Sequence, residues 1–309
     1  MAEKFTRKQF QAQYPDDAAC LQAILERRYG KAEACPGCGV IGKLTRIEGR
    51  RAYACKEGCH TYPCARTIFE HSSTPLTAWF YAMYLMTATR NGVSAKELQR
   101  QLGVTYKCAW RIGHQLRLLM SERAKAQNPG QMSGHVEIDE TYVGGKLRKF
   151  HGHGKGEYLK NKTTVFGMVQ RHGELRGHVV PNDQLATLWP IIRENVAIGS
   201  TVSTDTHRTY RRLRVLGFDH GRINHDKNEW KRGIHHTNTI EGFWSHLKRG
   251  IKSTHASVSK KHLQKYVDEF AFRHNNREAP AEMFQRRTAS LKSGLKTAFG
   301  LGRSLNVDL

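Results

Sequence analysis

Three carboxylates are placed where they could share one task. Asp139 lies in HVEIDETYV (135–143), Asp205 closes STVSTD (200–205), and Glu241 sits within HTNTIEGFWSHLKRG (236–250). Gathered at one point, three carboxylates repel one another unless cations join them. Hard divalent ions such as Mg2+ or Mn2+ take oxygen ligands and keep positions open for phosphate oxygens. Two such ions can activate a nucleophile and stabilise the leaving oxygen of an in-line phosphoryl displacement. Each acid also has an ordinary use: Asp205 as the cap of a helix starting at Thr206, Asp139 as a surface residue on a strand, Glu241 on a solvated helix face. The spacing within 236–250 separates two faces. Asn238, Glu241, Ser245 and Lys248 recur at helical intervals on one side, while Ile240, Phe243, Trp244, Leu247 and Ile251 form an apolar stripe. Lys248 stands two turns, roughly 10 Å, beyond Glu241, where it could hold a DNA phosphate while the acid holds metal.

A second group of residues with ligand chemistry is made of thiols. The seven cysteines are Cys20, Cys35, Cys38, Cys55, Cys59, Cys64 and Cys108, and five of them fall between 35 and 64. An odd count argues against a disulfide framework. Cys35-x2-Cys38 and Cys55-x3-Cys59 are two knuckles, and four thiolates on two tight turns close a tetrahedral shell for structural Zn2+. The second knuckle is one residue longer than the common spacing, which leaves His60 and Cys64 as alternatives to Cys59. Between the knuckles, KLTRIEGRRAYAC reads as two short strands turning at Glu48-Gly49, so the segment is expected to be a zinc ribbon. Cys20 reads as a small buried hydrophobe in a helix over 16–28.

The elements that must position these groups follow from periodicity. Thr74 is a candidate cap and Pro75 a first helical residue, followed by a stripe of Leu76, Trp79, Phe80 and Met83 that Asn91-Gly92 ends. Ser94-x-x-Glu97 opens a second helix that breaks at Gly103, and Thr105 can cap a third. The last two read as a helix-turn-helix whose final helix exposes Tyr106, Lys107, Trp110, Arg111 and His114 near its start, where base edges are met. The polar segment 121–134 reads as a linker. Beyond it come a strand at 135–143, a hairpin of 163–171 and 174–180 joined at His172-Gly173, a helix over 183–196, a strand over 200–205, a further helix, a short strand at 221–225 and the helix of Glu241. That order gives a mixed α/β sheet with helices on its faces, compatible with an RNase-H-like core in which the first and fourth strands are central neighbours. The basic, Gly-rich stretch 144–162 reads as a loop, with a solvated insertion and a DNA contact equally open. The expected organisation is a helical segment 1–30, a ribbon 31–70, a helix-turn-helix domain 71–125, a catalytic domain 126–280 and a loosely held tail 281–309.

Charge narrows the partner. Fifty Lys and Arg face 27 Asp and Glu, a formal net charge of +23. Such an excess calls for a polyanion. The basic residues are dispersed over folded segments instead of being gathered in one amphipathic helix, which favours nucleic acid over an anionic membrane. Residues 206–262 alone carry 13 basic residues against 4 acids and 8 of the 17 histidines. No apolar run approaches membrane-spanning length and the N-terminus lacks a signal-peptide core, so a cytoplasmic, nucleoid-associated protein is expected.

The segments VEIDETYVGGK, GSTVSTDTHRTY, NHDKNEW and HTNTIEGFWSHLKRG closely resemble the ISXO-two-like branch of bacterial insertion-sequence transposases. The resemblance continues through VSKKHLQKYVDEFAFRHNNR and covers roughly residues 5–280. It implies an RNase-H-like core of the DDE type, with Asp139, Asp205 and Glu241 as catalytic acids followed by Lys248 and Arg249 against DNA. In this branch the third position is sometimes an Asn, so Asn238 and Glu241 both stand as the third ligand. Glu140 points to the opposite side of its strand. The implied activity is cleavage at terminal inverted repeats and strand transfer into target DNA with two Mg2+ or Mn2+ ions, in a homo-oligomer of at least two chains. A non-catalytic DNA-binding regulator on the same fold and a structure-selective nuclease are the other readings.

Overall fold

The computed structural model describes residues 5–30, 34–127, 130–144, 162–279 and 283–284. They fall into two compact units, Phe5–Tyr84 with Phe284, and Leu85–Met283. Most of the basic stretch 144–162 and of the tail 281–309 lies outside the described residues.

The first unit begins with helices α1 (Arg7–Gln13) and α2 (Asp17–Tyr29), followed by an antiparallel sheet of three two-residue strands, β1 (Thr45–Arg46), β2 (Tyr53–Ala54) and β3 (His60–Thr61). The third strand is an addition to the two read from the sequence. Helix α3 (Leu76–Ala88) starts one residue after Pro75. Asp17 caps it from 59 residues away: its carboxylate accepts the Leu76 and Thr77 N–H groups at 3.0 and 2.9 Å. A first-turn carboxylate satisfies free amides and complements the helix dipole. Burial of Cys20 pushes its thiol up to about 12, in keeping with a packing role.

In the second unit, Ser94 caps α4 (Ala95–Leu102) through the Glu97 N–H, and Gly103 closes it at φ 64°, a conformation glycine adopts without strain. Helix α5 (Tyr106–Gln127) follows, capped by Thr105, and packs on α4. It continues through 121–127, so that part of the expected linker is helix. The sheet contains β4 (His135–Val143), β5 (Thr163–Gln170), β6 (Leu175–Val180), β7 (Thr201–Asp205) and β8 (Asp219–Ile223) in the order β6-β5-β4-β7-β8. β4 is antiparallel to β5 and parallel to β7. Helix α6 (Leu185–Asn195) lies between β6 and β7, and α7 (Asn238–Gly250) and α8 (Lys260–Asn275) follow β8. The helix expected between β7 and β8 is only a 3-10 turn, Arg208–Arg212. Without an apolar stripe long enough for several turns, that basic segment gains too little burial to extend.

Strand alternation sorts the two cores. Val136, Ile138, Phe166, Met168 and Val202 pack with Leu188 and Ile192 of α6. Val165 and Val169 on the other face pack with Ile240, Phe243, Trp244 and Leu247 of α7 and Val267 and Phe270 of α8. Helix α8 also carries the buried Glu269, whose carboxylate takes Arg117 Nε of α5 and Arg273 Nη1, each at 2.5 Å. Burial alone would raise this carboxyl, but the two guanidinium groups outweigh it and hold it down at about 2.

Removing one partner of a buried ion pair leaves uncompensated charge, so Glu269→Ala is expected to cost about 3–5 kcal/mol of stability in urea unfolding. Among the described residues, no helix is long and apolar enough to cross a membrane.

Candidate active site

Glu137 of β4 sets the position of α7. It is completely buried, and its carboxylate accepts the Thr239 and Ile240 N–H groups at 2.9 and 3.1 Å and the Thr239 hydroxyl at 3.0 Å. Thr237, at the N-cap position, makes no side-chain cap hydrogen bond. The acceptor for the first helical turn therefore comes from the sheet. Arg171 donates to the same carboxylate at 2.9 Å, so the buried charge is paired.

Asp139 is two residues on, on the same face of β4. The β4–β7 register pairs Glu137 with Ser203, and running it two residues further sets Asp139 level with Asp205. The two aspartates interact electrostatically: burial raises the Asp139 carboxyl to about 8, and Glu140 and Asp205 push in the same direction. Trp244 Nε1 opposes this by donating to Asp139 Oδ2 at 2.9 Å. The indole can come this close because the residue opposite Asp139 on β5 is Gly167, where a Cβ would stand 2.6 Å from the ring. Asp205 ends β7 and its Oδ1 accepts the His207 N–H at 2.9 Å. It closes a local turn, and no α-helix follows it.

Glu241 lies one turn into α7, partly exposed. Its Oε1 accepts the Thr237 hydroxyl at 2.6 Å and lies 3.1 Å from His225 Nε2, just past the end of β8. Asp139 and Asp205 thus lie close enough to interact, while the two with Glu241 do not form a cluster of three ligand atoms within 4.8 Å. Asn238, Lys248 and Arg249 are exposed on α7. An oxygen-only donor set with two interacting carboxylates fits a hard divalent cation, which would offset the burial and the repulsion that together raise Asp139. Glu140 faces the other side of the sheet. It accepts from the Tyr210 hydroxyl and, with Asp183 and His207, forms a separate cluster.

The thiols gather in the first unit. Cys35, Cys38 and Cys55 bring their sulfurs within 4.8 Å of one another, with Cys38 Sγ and Cys55 Sγ 3.7 Å apart. Cys59 interacts with Cys38. The extra residue of the second knuckle is absorbed by a turn in which Gly58 N–H donates to Cys55 O and Gly58 adopts φ 78°. Backbone N–H groups of Cys38 and Gly37 lower the Cys35 thiol to about 7, which favours the thiolate that binds metal. His60 is exposed and directed to Tyr62, and burial pushes Cys64 up to about 11, so neither of these alternatives resembles the clustered thiols.

On α5, Tyr106, Lys107, Trp110 and Arg111 are exposed, as the sequence suggested. His114 is not. It is buried between Trp110, at 3.8 Å between ring centroids, and His262 and Tyr266 of α8. Burial and the nearby Arg117 lower its pKa to about 3, so it is a neutral packing residue. Trp244 and Glu137 are the residues that sequence reasoning did not connect to the acids. The signal for Trp244 was present, since an indole N–H three residues after Glu241 needs an acceptor when buried.

Two parts of the chain match known protein families. Residues 131–275 match the ISXO2-like transposase domain, and residues 15–62 match a transposase zinc-ribbon domain. An uncharacterized protein in the transposable element ISH50 of Halobacterium salinarum is 29% identical over 293 residues, 89% of this chain and 94% of that protein. An uncharacterized transposase-like protein of Haemophilus influenzae is 42% identical over 105 residues, 34% of this chain and 84% of that protein. The chain belongs to the ISXO2-like transposase family.

Proposed function

We propose that this protein is a DDE-type DNA transposase. It would cut an insertion sequence at its terminal inverted repeats and join the freed 3′-hydroxyl to target DNA. The observation that carries the reading is the electrostatic proximity of Asp139 and Asp205, each two residues beyond the Glu137–Ser203 pair of neighbouring parallel strands, with the helix of Glu241 packed on the sheet. The sheet order, antiparallel on one side of β4 and parallel on the other with helices on both faces, supports an RNase-H-like core. Helices α4 and α5 serve as a helix-turn-helix, with Tyr106, Lys107, Trp110 and Arg111 toward the DNA. Cys35, Cys38, Cys55 and Cys59 hold a structural zinc. Joining two element ends calls for at least two copies of the chain.

Asp139 and Asp205 are the ligands for divalent metal, with Glu241 or Asn238 as the third donor. Bound Mg2+ or Mn2+ supplies Lewis acidity toward the scissile phosphate and a more acidic water or hydroxyl nucleophile. The rest is done by the chain. Trp244 fixes one oxygen of Asp139, Thr237 and His225 hold Glu241, and Lys248 and Arg249 present positive charge to the DNA backbone.

With purified protein, divalent metal and DNA carrying the element's own ends, cleavage is expected to fall at least about a hundredfold in Asp139→Ala, Asp205→Ala and Glu241→Ala, with end binding retained. Wild-type protein that binds its ends but never cuts them points to a DNA-binding regulator. Normal cleavage by Glu241→Ala with loss in Asn238→Ala assigns the third ligand to Asn238. Zinc content gives a separate check. Serine at Cys35, Cys38, Cys55 or Cys59 should abolish bound zinc, and serine at Cys64 should leave it.

The Asp139 shift sets a pH dependence. Its folded pKa, about 8, lies above the usual 3.8, so the folded metal-free protein prefers the proton. The stability this contributes is full below pH 4 and is lost as pH rises through 8. Metal competes with that proton. The rise in melting temperature on adding Mg2+ should therefore be larger at pH 8.5 than at pH 6 by an amount that Asp139→Asn removes, as followed by thermal unfolding.

A further inference from the structure

A further group of ligand atoms lies on the face of the sheet that α6 covers. Glu140 and Tyr142 share that face of β4, Asp183 precedes α6, and His207 stands in the turn after β7. One ligand atom each from Glu140, Asp183 and His207 lies within 4.8 Å of the others. Two hydroxyls fix the acids: Tyr142 donates to Asp183 Oδ2 at 2.8 Å, and Tyr210 donates to Glu140 Oε2. Thr209 donates to the Asp183 carbonyl at 2.9 Å and so ties the two turns together. His207 lies between the carboxylates without a hydrogen bond to either. Its Nδ1 is 3.7 Å from Glu140 Oε1, and its Nε2 is 3.7 Å from Asp183 Oδ2. Nδ1 is buried and has no hydrogen-bond partner among the described residues. An imidazolium bridging two carboxylates by direct hydrogen bonds would stand about 2.7–3.2 Å from each. Two ligands of one metal ion, each about 2.1 Å from it, stand roughly 3–4 Å apart. The observed 3.7 Å matches the second arrangement and not the first.

We propose that Glu140, Asp183 and His207 bind one divalent transition-metal ion, Zn2+ or Mn2+, separate from the ions of Asp139 and Asp205. One imidazole nitrogen with two carboxylate oxygens favours such an ion over Mg2+ or Ca2+, which take oxygen alone. The two tyrosine hydroxyls are outer partners that orient the ligating carboxylates, as metal sites require. The Glu140 side chain is only 7% exposed, and an enclosed carboxylate is stabilised by a cation at its second oxygen. An open cavity of about 450 Å³, lined in part by Asp183 and His207, gives the ion and its waters a way in. The consequence is local order. The His207 N–H holds Asp205 at 2.9 Å, so an ion on the imidazole fixes the turn that ends β7. The site stands on its own geometry and does not depend on the transposase reading.

The test uses full-length protein that keeps its ribbon zinc, with Asp139→Ala to disable the other site and MnCl2 as the probe. One Mn2+ per chain should remain bound, and pulsed electron paramagnetic resonance should show nitrogen coupling from a directly bound imidazole. In that background, His207→Ala and Asp183→Asn should each weaken binding at least about tenfold, and His207→Ala should erase the nitrogen coupling. His225→Ala, beside Glu241, should leave both. The bound ion should also raise the melting temperature of the Asp139→Ala protein, a rise that His207→Ala removes. Three results would each overturn the site while leaving the transposase reading intact: no Mn2+ retained by Asp139→Ala, retained Mn2+ without nitrogen coupling, or coupling that survives His207→Ala and is lost in His225→Ala. The first two are read on Asp139→Ala alone, so they decide the matter even where a ligand variant does not fold.

Discussion

The arrangement of the acids depends on one buried carboxylate that is not among them. Glu137 stands on β4 and accepts the first free amides of α7, so strand and helix are joined at a fixed point. A helix N-terminus carries roughly half a positive charge on its free N–H groups, and a buried carboxylate needs donors on all sides. Each end solves the other's problem. Once α7 is pinned there, Glu241 falls one turn further along and Trp244 three residues beyond that, which is the distance that brings the indole N–H to Asp139 two residues up the strand. The spacing along the strand and the spacing along the helix are thereby kept in register by a single contact.

Trp244 extends the same logic. Asp139 is costly as an anion because it is nearly enclosed and faces Asp205. The fold could have lowered that cost with a lysine or arginine. It supplies a neutral donor instead, which orients one oxygen and leaves the charge uncompensated. Gly167 is the condition for this choice, since any side chain there would displace the ring. Stability is given up at the point where a cation would restore it, a trade expected of a binding site and not of a packing core.

Much of this was legible in the sequence, and the gaps have a common cause. The bounds of β4, the two faces of α7, the clustered thiols and the central pairing of β4 with β7 follow from alternation, helical spacing and short-range turn chemistry, all of which are local. Both helix caps supplied from a distance escaped, Asp17 for α3 and Glu137 for α7, because a cap 59 or 102 residues away leaves no local pattern. His114 was read as exposed from its neighbours on α5, but its environment is made by α8, more than a hundred residues later. The 3-10 turn after β7 and the continuation of α5 beyond residue 120 are differences of length, where weak local preference yields to what the surrounding elements can bury.

Asp139 and Glu140 show how far alternation alone can separate two adjacent acids. Glu140 points into the opposite face, accepts from Tyr210 and lies 3.7 Å from His207 Nδ1, while His207 Nε2 is 3.7 Å from Asp183. Burial raises the Glu140 carboxyl, and the Tyr210 hydroxyl offsets part of that rise. Among the described residues, the donors to Asp139 are the Trp244 indole and the Glu140 backbone. The two faces still communicate through one turn. The His207 N–H binds the Asp205 carboxylate while its imidazole reaches toward Glu140. The cluster on one face thus contains the residue whose backbone N–H holds Asp205 on the other. Adjacent acids on one strand therefore meet different partners, Tyr210 and His207 for Glu140 and the Trp244 indole for Asp139.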